Sequence, residues 1–293
     1  MDLKHIVMLT LQVSIFCTVF GFGLKTTTDD LMYLIRRPGL LLRSLLAVFV
    51  IMPVIAVTLV RLFDFRHVVE VALIALAISP VPPLLPKREL KAGGQDSYGL
   101  GLMAILALLS IAVAPLASSI LERVFGHSLT VAPGAIAVLA FKTVLLPLAV
   151  GMIVHAAVPR LAEKIEKPVA LVANVLLSLG AIVFLVTLAP ALWALIGQGT
   201  LVAMIIFAVA GLIVGHFMGG AEPSHSVVLA LSSACRHPAI ALAIAAAAFP
   251  REHFGAPIIL YLLVGIIVGI PYIAYVRKSA DWHQEAEGHH AKA

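Results

Sequence analysis

The stretch VVEVALIALAISPVPPLLPKRELKAGG (68–94) decides how this chain folds. Its first half is apolar and suited to a membrane, but four prolines then follow within seven residues: Pro80, Pro82, Pro83 and Pro86. A proline removes a backbone hydrogen-bond donor, and its ring clashes with the preceding turn of a helix. We therefore predict that this segment is a helix that breaks near its middle.

A second stretch, SHSVVLALSSACRHPAIALAIAAAAF (224–249), has the same character, with Pro238 directly after Arg236 and His237. Unwound backbone at membrane depth persists only where it is buried in protein or lines a watery cavity. A pair of interrupted helices in corresponding positions of two halves indicates the binding site of a transporter. The alternative is that the prolines only kink two packed helices.

The composition of the whole chain requires a lipid environment. Of the 293 residues 61% are hydrophobic and 12% are charged, and the mean hydropathy is +1.09. A soluble domain carries about 25% charged residues. This excludes a soluble enzyme, a nucleic-acid-binding protein, a collagen and a disordered regulator. We also expect no cofactor and no metal ion, because no metal-ligand spacing, nucleotide loop or nucleophile elbow is present.

Because one crossing of the bilayer needs about 20 apolar residues, the sequence predicts nine candidate transmembrane helices. They are 5–24, 39–62, 68–86, 97–121, 131–156, 168–196, 199–218, 224–249 and 254–276. The predicted fold class is therefore all-α integral membrane. The short connections predict one transmembrane transporter domain over 1–276, and the polar residues 277–293 are expected to form a disordered cytoplasmic tail.

The basic residues of the loops predict the orientation. With the N-terminus outside and the C-terminus inside, the cytoplasmic loops receive Lys25, Arg36, Arg37, Lys87, Arg88, Lys91, Arg160, Lys164, Lys167, Arg277, Lys278 and Lys292. The opposite face keeps Lys4, Arg61, Arg66, Arg123 and Arg251. We expect this orientation, in the cytoplasmic (plasma) membrane.

The nine helices fit two inverted repeats of five helices if the first copy lacks its leading helix. The first four spans then form one half and the last five the other. The broken helices, third and eighth in the chain, correspond once the missing helix is counted. An odd number of crossings gives the two halves the opposite orientations that an inverted repeat requires.

Three segments make the chain resemble the bile acid:sodium symporter family. FGFGLKTTTDDLMYLIRRPGLLLRSLLAVFVIMP (20–53) resembles its early glycine-leucine, RRP and MP pattern. SPVPPLLPKRELKAGGQDS (79–97) lies where that family has a C-P-G-G-x-x-S-N-x-x-T motif, and SSACRHPAIALAIA (232–245) where it has E-x-G-x-Q-N-S-x-L-A. The resemblance covers nearly the whole chain. It implies a core domain around two crossing broken helices, a panel domain that moves against it, and sodium-coupled transport of organic anions.

The sodium-binding motifs that the resemblance implies are altered in this chain. The Ser-Asn pair of the first motif becomes Leu85 and Pro86, the sodium-coordinating glutamate becomes Ser232, and the glutamine after it becomes Arg236. Another family glutamine becomes Val48. Sodium is a hard cation that requires several oxygen ligands. Because most of these residues lack a side-chain oxygen and arginine adds a positive charge, we expect both sodium sites to be non-functional.

Two basic residues lie deep within predicted spans, where a charge costs about 3 kcal/mol or more. Arg236 either replaces the charge of an ion, or binds an anionic substrate, or forms a fixed salt bridge with Glu89 or Asp96. Lys142 is a candidate proton carrier or anion ligand. Its alternative role is to pair with Glu89 in a polar crevice.

Polar residues near the breaks are further candidates for substrate binding or coupling. His237 either titrates or is simply hydrogen-bonded at the break. Asn174, in the sixth span, either lines the cavity or bridges helices. Ser232 and Ser233 complete this group beside Arg236.

The charged residues after the first break allow two interpretations. Lys87, Arg88 and Lys91 form either a vestibule that attracts anions or ordinary loop charge. If the second half-helix begins near Pro86, only Glu89 suits its positive end.

The leading prediction is a sodium-independent carrier that moves a small organic anion by alternating access, as a proton-coupled carrier, a uniporter or an exchanger. One alternative is a non-transporting membrane sensor or scaffold with the same fold. Others are a sodium-coupled symporter with unrecognised ligands and an arsenite-permease-like carrier, for which Ser79 stands in place of the expected cysteine. The expected partners are the anion and the lipid bilayer.

Overall fold

The computed structural model describes residues 3–125, 132–195 and 199–290, and these ranges contain helices and short connections but no β-strand. The all-α class is therefore confirmed. The helices are α1 (Leu3–Gly23), α2 (Thr28–Met32), α3 (Pro38–Leu46), α4 (Met52–Leu62), α5 (His67–Ile78), α6 (Leu85–Lys91), α7 (Asp96–Phe125), α8 (Pro133–Ala140), α9 (Leu146–Ala157), α10 (Pro159–Leu195), α11 (Thr200–Met218), α12 (Pro223–Ala234), α13 (Pro238–Ala248) and α14 (Gly255–His290).

The chain is a multi-pass membrane protein. Eight helical segments of its described part are long and apolar enough to cross a bilayer: Ile6–Gly23, Pro38–Leu62, Asp96–Ser119, Pro133–Ala157, Pro159–Leu195, Thr200–Met218, Pro223–Ala248 and Gly255–Lys278. The shorter apolar helix α5 stands at the position of the third predicted span. Nine crossings and the inverted repeat are compatible with this arrangement and stay predictions.

The first predicted helix break is confirmed. Helix α5 ends at Ile78 and α6 begins at Leu85, and the backbone between them is irregular. Three of the four prolines lie in this connection. Pro86 lies in the first turn of α6, where a missing N–H is tolerated because the first N–H groups of a helix have no partner within it.

The second break is confirmed as well. Helix α12 ends at Ala234, and α13 begins at Pro238 with His237 as its N-cap. Pro115 and Pro271, in contrast, lie inside the continuous helices α7 and α14. A proline alone therefore does not break a helix in this chain, whereas a cluster of prolines or the Arg-His-Pro sequence does.

Two π-helical turns were not predicted. Ala47–Ile51 joins α3 to α4, and Phe141–Leu145 joins α8 to α9. Pro53 and Pro147 follow these turns in the first turn of the next helix. A proline cannot donate to the carbonyl four residues earlier, and the backbone widens locally to accommodate this.

The connections of the chain gather at two ends of the helix bundle. At one end Lys25 Nζ lies 3.7 Å from Asp96 Oδ2, which brings the α1–α2 and α6–α7 connections together. At the other end His67 Nδ1 lies 3.1 Å from Glu252 Oε2, beside the α4–α5 and α13–α14 connections. These four connections are paired as the predicted topology expects, whereas the topology of the whole chain and the end that faces the cytoplasm stay predictions.

Closely packed glycines hold the second broken helix in place. Gly211 and Gly215 on α11 and Gly219 directly after it follow each other at intervals of four residues, and α11 packs against α12. A Cβ atom on Gly215 would lie 2.2 Å from the carbonyl oxygen of Leu229. Small residues at this spacing let two membrane helices approach at backbone distance.

Helix α14 continues beyond the last predicted span, and its backbone is helical to His290. Residues 291–293 lie outside the described part of the chain. The single domain over 1–276 and the disordered cytoplasmic tail stay predictions.

Candidate substrate and coupling site

The two helix breaks lie against each other. The backbone N–H of His237 donates a 2.8 Å hydrogen bond to the carbonyl oxygen of Pro80. On either side of this contact, α5 packs against α13 and α6 packs against α12. Four half-helices therefore meet where unwound backbone offers polar groups inside the membrane domain.

His237 is a buried N-cap, with 2% of its surface exposed. Its Nδ1 accepts a hydrogen bond from the backbone N–H of Ile240 at 3.4 Å, and its Nε2 lies 3.5 Å from the hydroxyl of Thr143. The side chain thus satisfies a free N–H group at the start of α13. This geometry corresponds to the hydrogen-bonded role that the sequence left open for it.

Arg236 is the largest fully buried side chain, with 0% exposed. Its Nη1 donates to the carbonyl oxygens of Val48 and Ser79, both at 3.3 Å. Its Nε and Nη2 have no hydrogen-bond partner among the described residues. No ion pair joins Arg236 to Glu89 or Asp96 there, because Glu89 is bonded to Ser232 and Asp96 lies by Lys25. A fixed positive charge therefore lies at the junction of the breaks.

Glu89 lies on α6 and is 2% exposed. The hydroxyl of Ser232 donates a 2.7 Å hydrogen bond to its Oε1, which links the half-helices α6 and α12 of the two broken helices. Ser233, the next residue, is fully buried, and within the described chain its hydroxyl has no hydrogen-bond partner. The two serines thus lie in the helical contact and not in the unwound segment.

A cavity of about 230 Å³ lies beside α6, between this helix and α1 and α10. Its lining consists of Thr18, Leu84, Lys87, Arg88, Lys91, Asn174 and Leu177. Three of the seven residues are cationic and none is acidic, so the cavity has a positive potential. The arrangement is chemically suited to a small anion.

Lys87 and Asn174 meet across this cavity. The ammonium group of Lys87 donates to the side-chain carbonyl oxygen of Asn174, and this bond joins α6 to α10. Arg88 is directed to α14, where it donates to the backbone carbonyl of Ile266 at 2.8 Å. The structure thus brings together two residues that the sequence suggested separately.

Lys142 lies in the second π-helical turn, and its side chain is exposed. No ion pair joins it to Glu89 in the described part of the chain. Its neighbour Thr143, in contrast, contacts His237. The burial expected from the position of Lys142 within an apolar run is therefore not observed, because hydropathy does not specify which face of a helix a residue occupies.

Two residues of the site were missed by sequence reasoning. Tyr261 Oη donates to the carbonyl oxygen of Ala234 at 2.5 Å and so satisfies the last turn before the second break. Thr18 lines the cavity from α1. Both lie in apolar runs with no distinguishing pattern, and only the packing of the helices places them.

The comparisons with known proteins agree with this architecture. The sequence model of the Sodium Bile acid symporter family matches residues 12–192, which include the first broken helix. An "Uncharacterized sodium-dependent transporter YocS" from Bacillus subtilis (strain 168) is 26% identical over 136 residues. The match spans 46% of this chain and 41% of that protein, so less than half of the relative is covered. Arg236 lies beyond the residues that the family model matches.

Proposed function

Because this chain belongs to the sodium bile acid symporter family, we propose that it is a secondary transporter that moves a small organic anion by alternating access and without sodium. The observation that carries the proposal is the buried guanidinium of Arg236, which donates to the carbonyl oxygens of Val48 and Ser79. It supplies a permanent positive charge at the junction of the two breaks. We propose transport rather than catalysis for the same site.

The charge of Arg236 opposes the binding of a metal cation there. Backbone carbonyl oxygens are ligands that a hard cation uses, and here two of them accept hydrogen bonds from a guanidinium instead. Two unit charges 4 Å apart repel by about 4 kcal/mol at an effective dielectric constant of 20. A sodium ion next to Arg236 would have to overcome this repulsion.

The other altered positions support the same proposal. Val48, Leu85 and Pro86 are buried and have no side-chain oxygen. The hydroxyl of Ser232 is engaged by Glu89. Of these altered positions only Ser232 therefore offers a side-chain oxygen to an ion that requires several.

The cavity beside α6 is the proposed substrate site. Lys87, Arg88 and Lys91 supply positive charge, and Asn174 and Thr18 supply polar groups that can orient a carboxylate. The volume of about 230 Å³ lies below the range of about 300–1,000 Å³ typical of drug-sized ligands. This favours a small carboxylate over a steroid conjugate.

The position of the cavity also supports alternating access. One wall belongs to the broken helix α6 and the other to α1 and α10, which pack against each other. Movement of the α1–α10 pair relative to α6 would open or close the cavity and break the bond between Lys87 and Asn174. Proton-coupled transport, uniport and exchange are all compatible with this movement. His237 and Lys142 stay candidates for coupling.

The proposal is tested by flux into liposomes that contain the purified protein. Labelled acetate, succinate, citrate and taurocholate are compared in sodium chloride and in choline chloride at equal ionic strength. We expect one of the small carboxylates to enter at the same rate in both salts. If none of the four enters, but one of them raises the melting temperature, the protein is a non-transporting sensor.

A second candidate function is sodium-coupled symport with ligands that differ from those of the family motifs. It is favoured by the printed name of the Bacillus subtilis relative, which describes that protein as sodium-dependent. Uptake that requires sodium chloride and fails in choline chloride would support this candidate and refute sodium independence.

A further inference from the structure

Glu89 is a buried acid that has no basic partner among the described residues. In the described residues its carboxyl group forms no ion pair, and its hydrogen bond comes from the neutral hydroxyl of Ser232. Of the three cations on its own helix, Lys87 bonds to Asn174, Arg88 bonds to the carbonyl of Ile266, and Lys91 lines the cavity. Positive charge is therefore close in sequence and yet does not compensate this carboxyl.

Among the described residues, the titratable groups that act on Glu89 from the neighbouring helices add no positive charge either. They are Asp96 and Tyr98 on α7 and Cys235 at the end of α12. Asp96 carries a negative charge that Lys25 compensates from 3.7 Å. Burial favours the neutral form of Glu89, and the negative charge of Asp96 acts in the same direction.

The carboxyl group is also tightly enclosed. A Cβ atom on Gly99 would lie 2.5 Å from Oε2 of Glu89, which means that the backbone of α7 covers this oxygen. A buried carboxylate with a single hydroxyl partner is costly, whereas a neutral acid is tolerated. In the conformation seen here the acid form is therefore the stable one.

We infer that Glu89 is the proton-binding residue that couples proton movement to anion movement. The inference rests on the transport function proposed above. Glu89 is a neutral acid while the conformational change takes place. When helix movement exposes its carboxyl group to water, it releases H⁺ and becomes a carboxylate. No other reactant is needed for this step.

The geometry of α6 explains how the proton and the anion are linked. Lys87 and Glu89 are two residues apart, which places them on nearly opposite faces of the helix, one lining the cavity and the other the contact with α12. An anion bound at Lys87 brings negative charge close to Glu89 and favours the protonated acid. By linkage, protonation of Glu89 favours anion binding to the same extent, so both move in the same direction.

The first test detects the proton itself and needs no substrate. Infrared difference spectra of the full chain in lipid are recorded over an acid-to-alkaline pH titration, for the wild type, E89Q and D96N. We expect a carboxylic acid C=O band that disappears on titration, is lost in E89Q and is retained in D96N. If the wild type shows no carboxylic acid band that is missing in E89Q, the inference is overturned.

The second test detects coupling in proteoliposomes with succinate, or with citrate if succinate does not enter. An inward proton gradient should accelerate uptake by the wild type and by D96N. E89Q mimics the neutral acid, so it should retain exchange of the labelled anion and lose the response to the gradient. The inference is overturned if the proton gradient does not change the rate of uptake by the wild type, or if it still changes the rate of uptake by E89Q.

The two proposals fail in distinguishable ways. Anion flux without any effect of protons refutes the role of Glu89 and leaves the transport function in place. A titrating Glu89 band in a protein that moves no anion refutes transport and supports proton binding. If E89Q does not fold, S232A replaces it: the C=O band of the same acid should shift because its hydroxyl partner is lost, and an unshifted band overturns the assignment.

Discussion

Arg236 Nη1 lies 3.3 Å from the carbonyl oxygen of Ser79, so a side chain of the second helix break is hydrogen-bonded to the backbone of the first. A diffusible ion in this position would bind and leave in each transport cycle. A guanidinium group cannot leave, because it is covalently attached to the chain. The junction therefore keeps its charge in every state, and this is the physical basis for expecting transport that a sodium gradient does not drive.

The variant R236Q is expected to abolish most anion flux while it changes stability little. Removal of the buried charge relieves a cost of about 3 kcal/mol, but it leaves carbonyl groups with fewer donors, at about 1–3 kcal/mol each. These effects oppose each other, so the melting temperature should shift by only a few degrees. Flux of the transported carboxylate and thermal unfolding in detergent are measured on the same preparation.

R160Q is the matched control for this variant. Arg160 is exposed at the start of α10, so the same chemical change should affect neither flux nor stability. If R236Q unfolds many degrees below the wild type and the protein that stays folded transports normally, Arg236 only stabilises the fold and the role proposed for it is wrong.

The fold could be predicted well because its decisive signals are local. Four prolines within seven residues, and an arginine next to a proline in an apolar run, act through the chemistry of adjacent residues. The spacing of Gly211 and Gly215 on α11 and of Gly219 directly after it was an equally local signal that remained unused. Local signals therefore predicted both breaks, and the composition of the whole chain predicted the class of the fold.

The site could be predicted only in part because its partners are not local. The groups that accept hydrogen bonds from Arg236 are backbone carbonyls, which have no sequence signature. The pairing of Lys87 with Asn174 joins residues 87 positions apart. For Lys142 the sequence predicted burial, but the side chain is exposed. An apolar run indicates membrane depth but not whether a side chain faces protein or lipid.

Substitution of Gly215 by alanine should strongly destabilise the protein. The new Cβ would lie 2.2 Å from the carbonyl oxygen of Leu229, a backbone atom that cannot move away without displacing α12. Overpacking of this kind costs about 1–3 kcal/mol and sometimes more. The control is G134A, because a Cβ on Gly134 meets nothing within 4 Å. Equal melting temperatures for the two variants would contradict the close approach of α11 and α12.

Asp30 should make the end of the bundle that contains α2 sensitive to acid. Partial burial acts to raise the pKa of Asp30, but hydrogen bonds from Ser97 and Thr27 outweigh it and hold the pKa below its ordinary value. A lowered pKa in the folded state means that the ionised form adds stability above the ordinary carboxyl range, near pH 4, and that this stability is lost as the pH falls through the folded-state value.

The variant D30N tests this expectation. At pH 7 it should melt below the wild type, and the difference should shrink as the pH falls below about 4. D29N is the matched control, because Asp29 forms an exposed ion pair with Arg36 and such pairs contribute about 0–1 kcal/mol. If the difference in melting temperature between D30N and the wild type is constant across this pH range, the ionised form of Asp30 is not what stabilises the start of α2.

Lys87 and Asn174 allow substrate binding to be separated from helix contact. If Lys87 binds the anion, K87M should lower affinity about 10- to 100-fold, because a charged hydrogen bond contributes about 1.5–3 kcal/mol. N174L should then keep more of the affinity than K87M, and K164M, which changes an exposed lysine outside the cavity, should keep all of it. If the lysine serves only to hold α6 to α10, then K87M, N174L and the double variant should have the same effect on affinity. Binding of the transported carboxylate, measured by competition with its labelled form, decides between these outcomes.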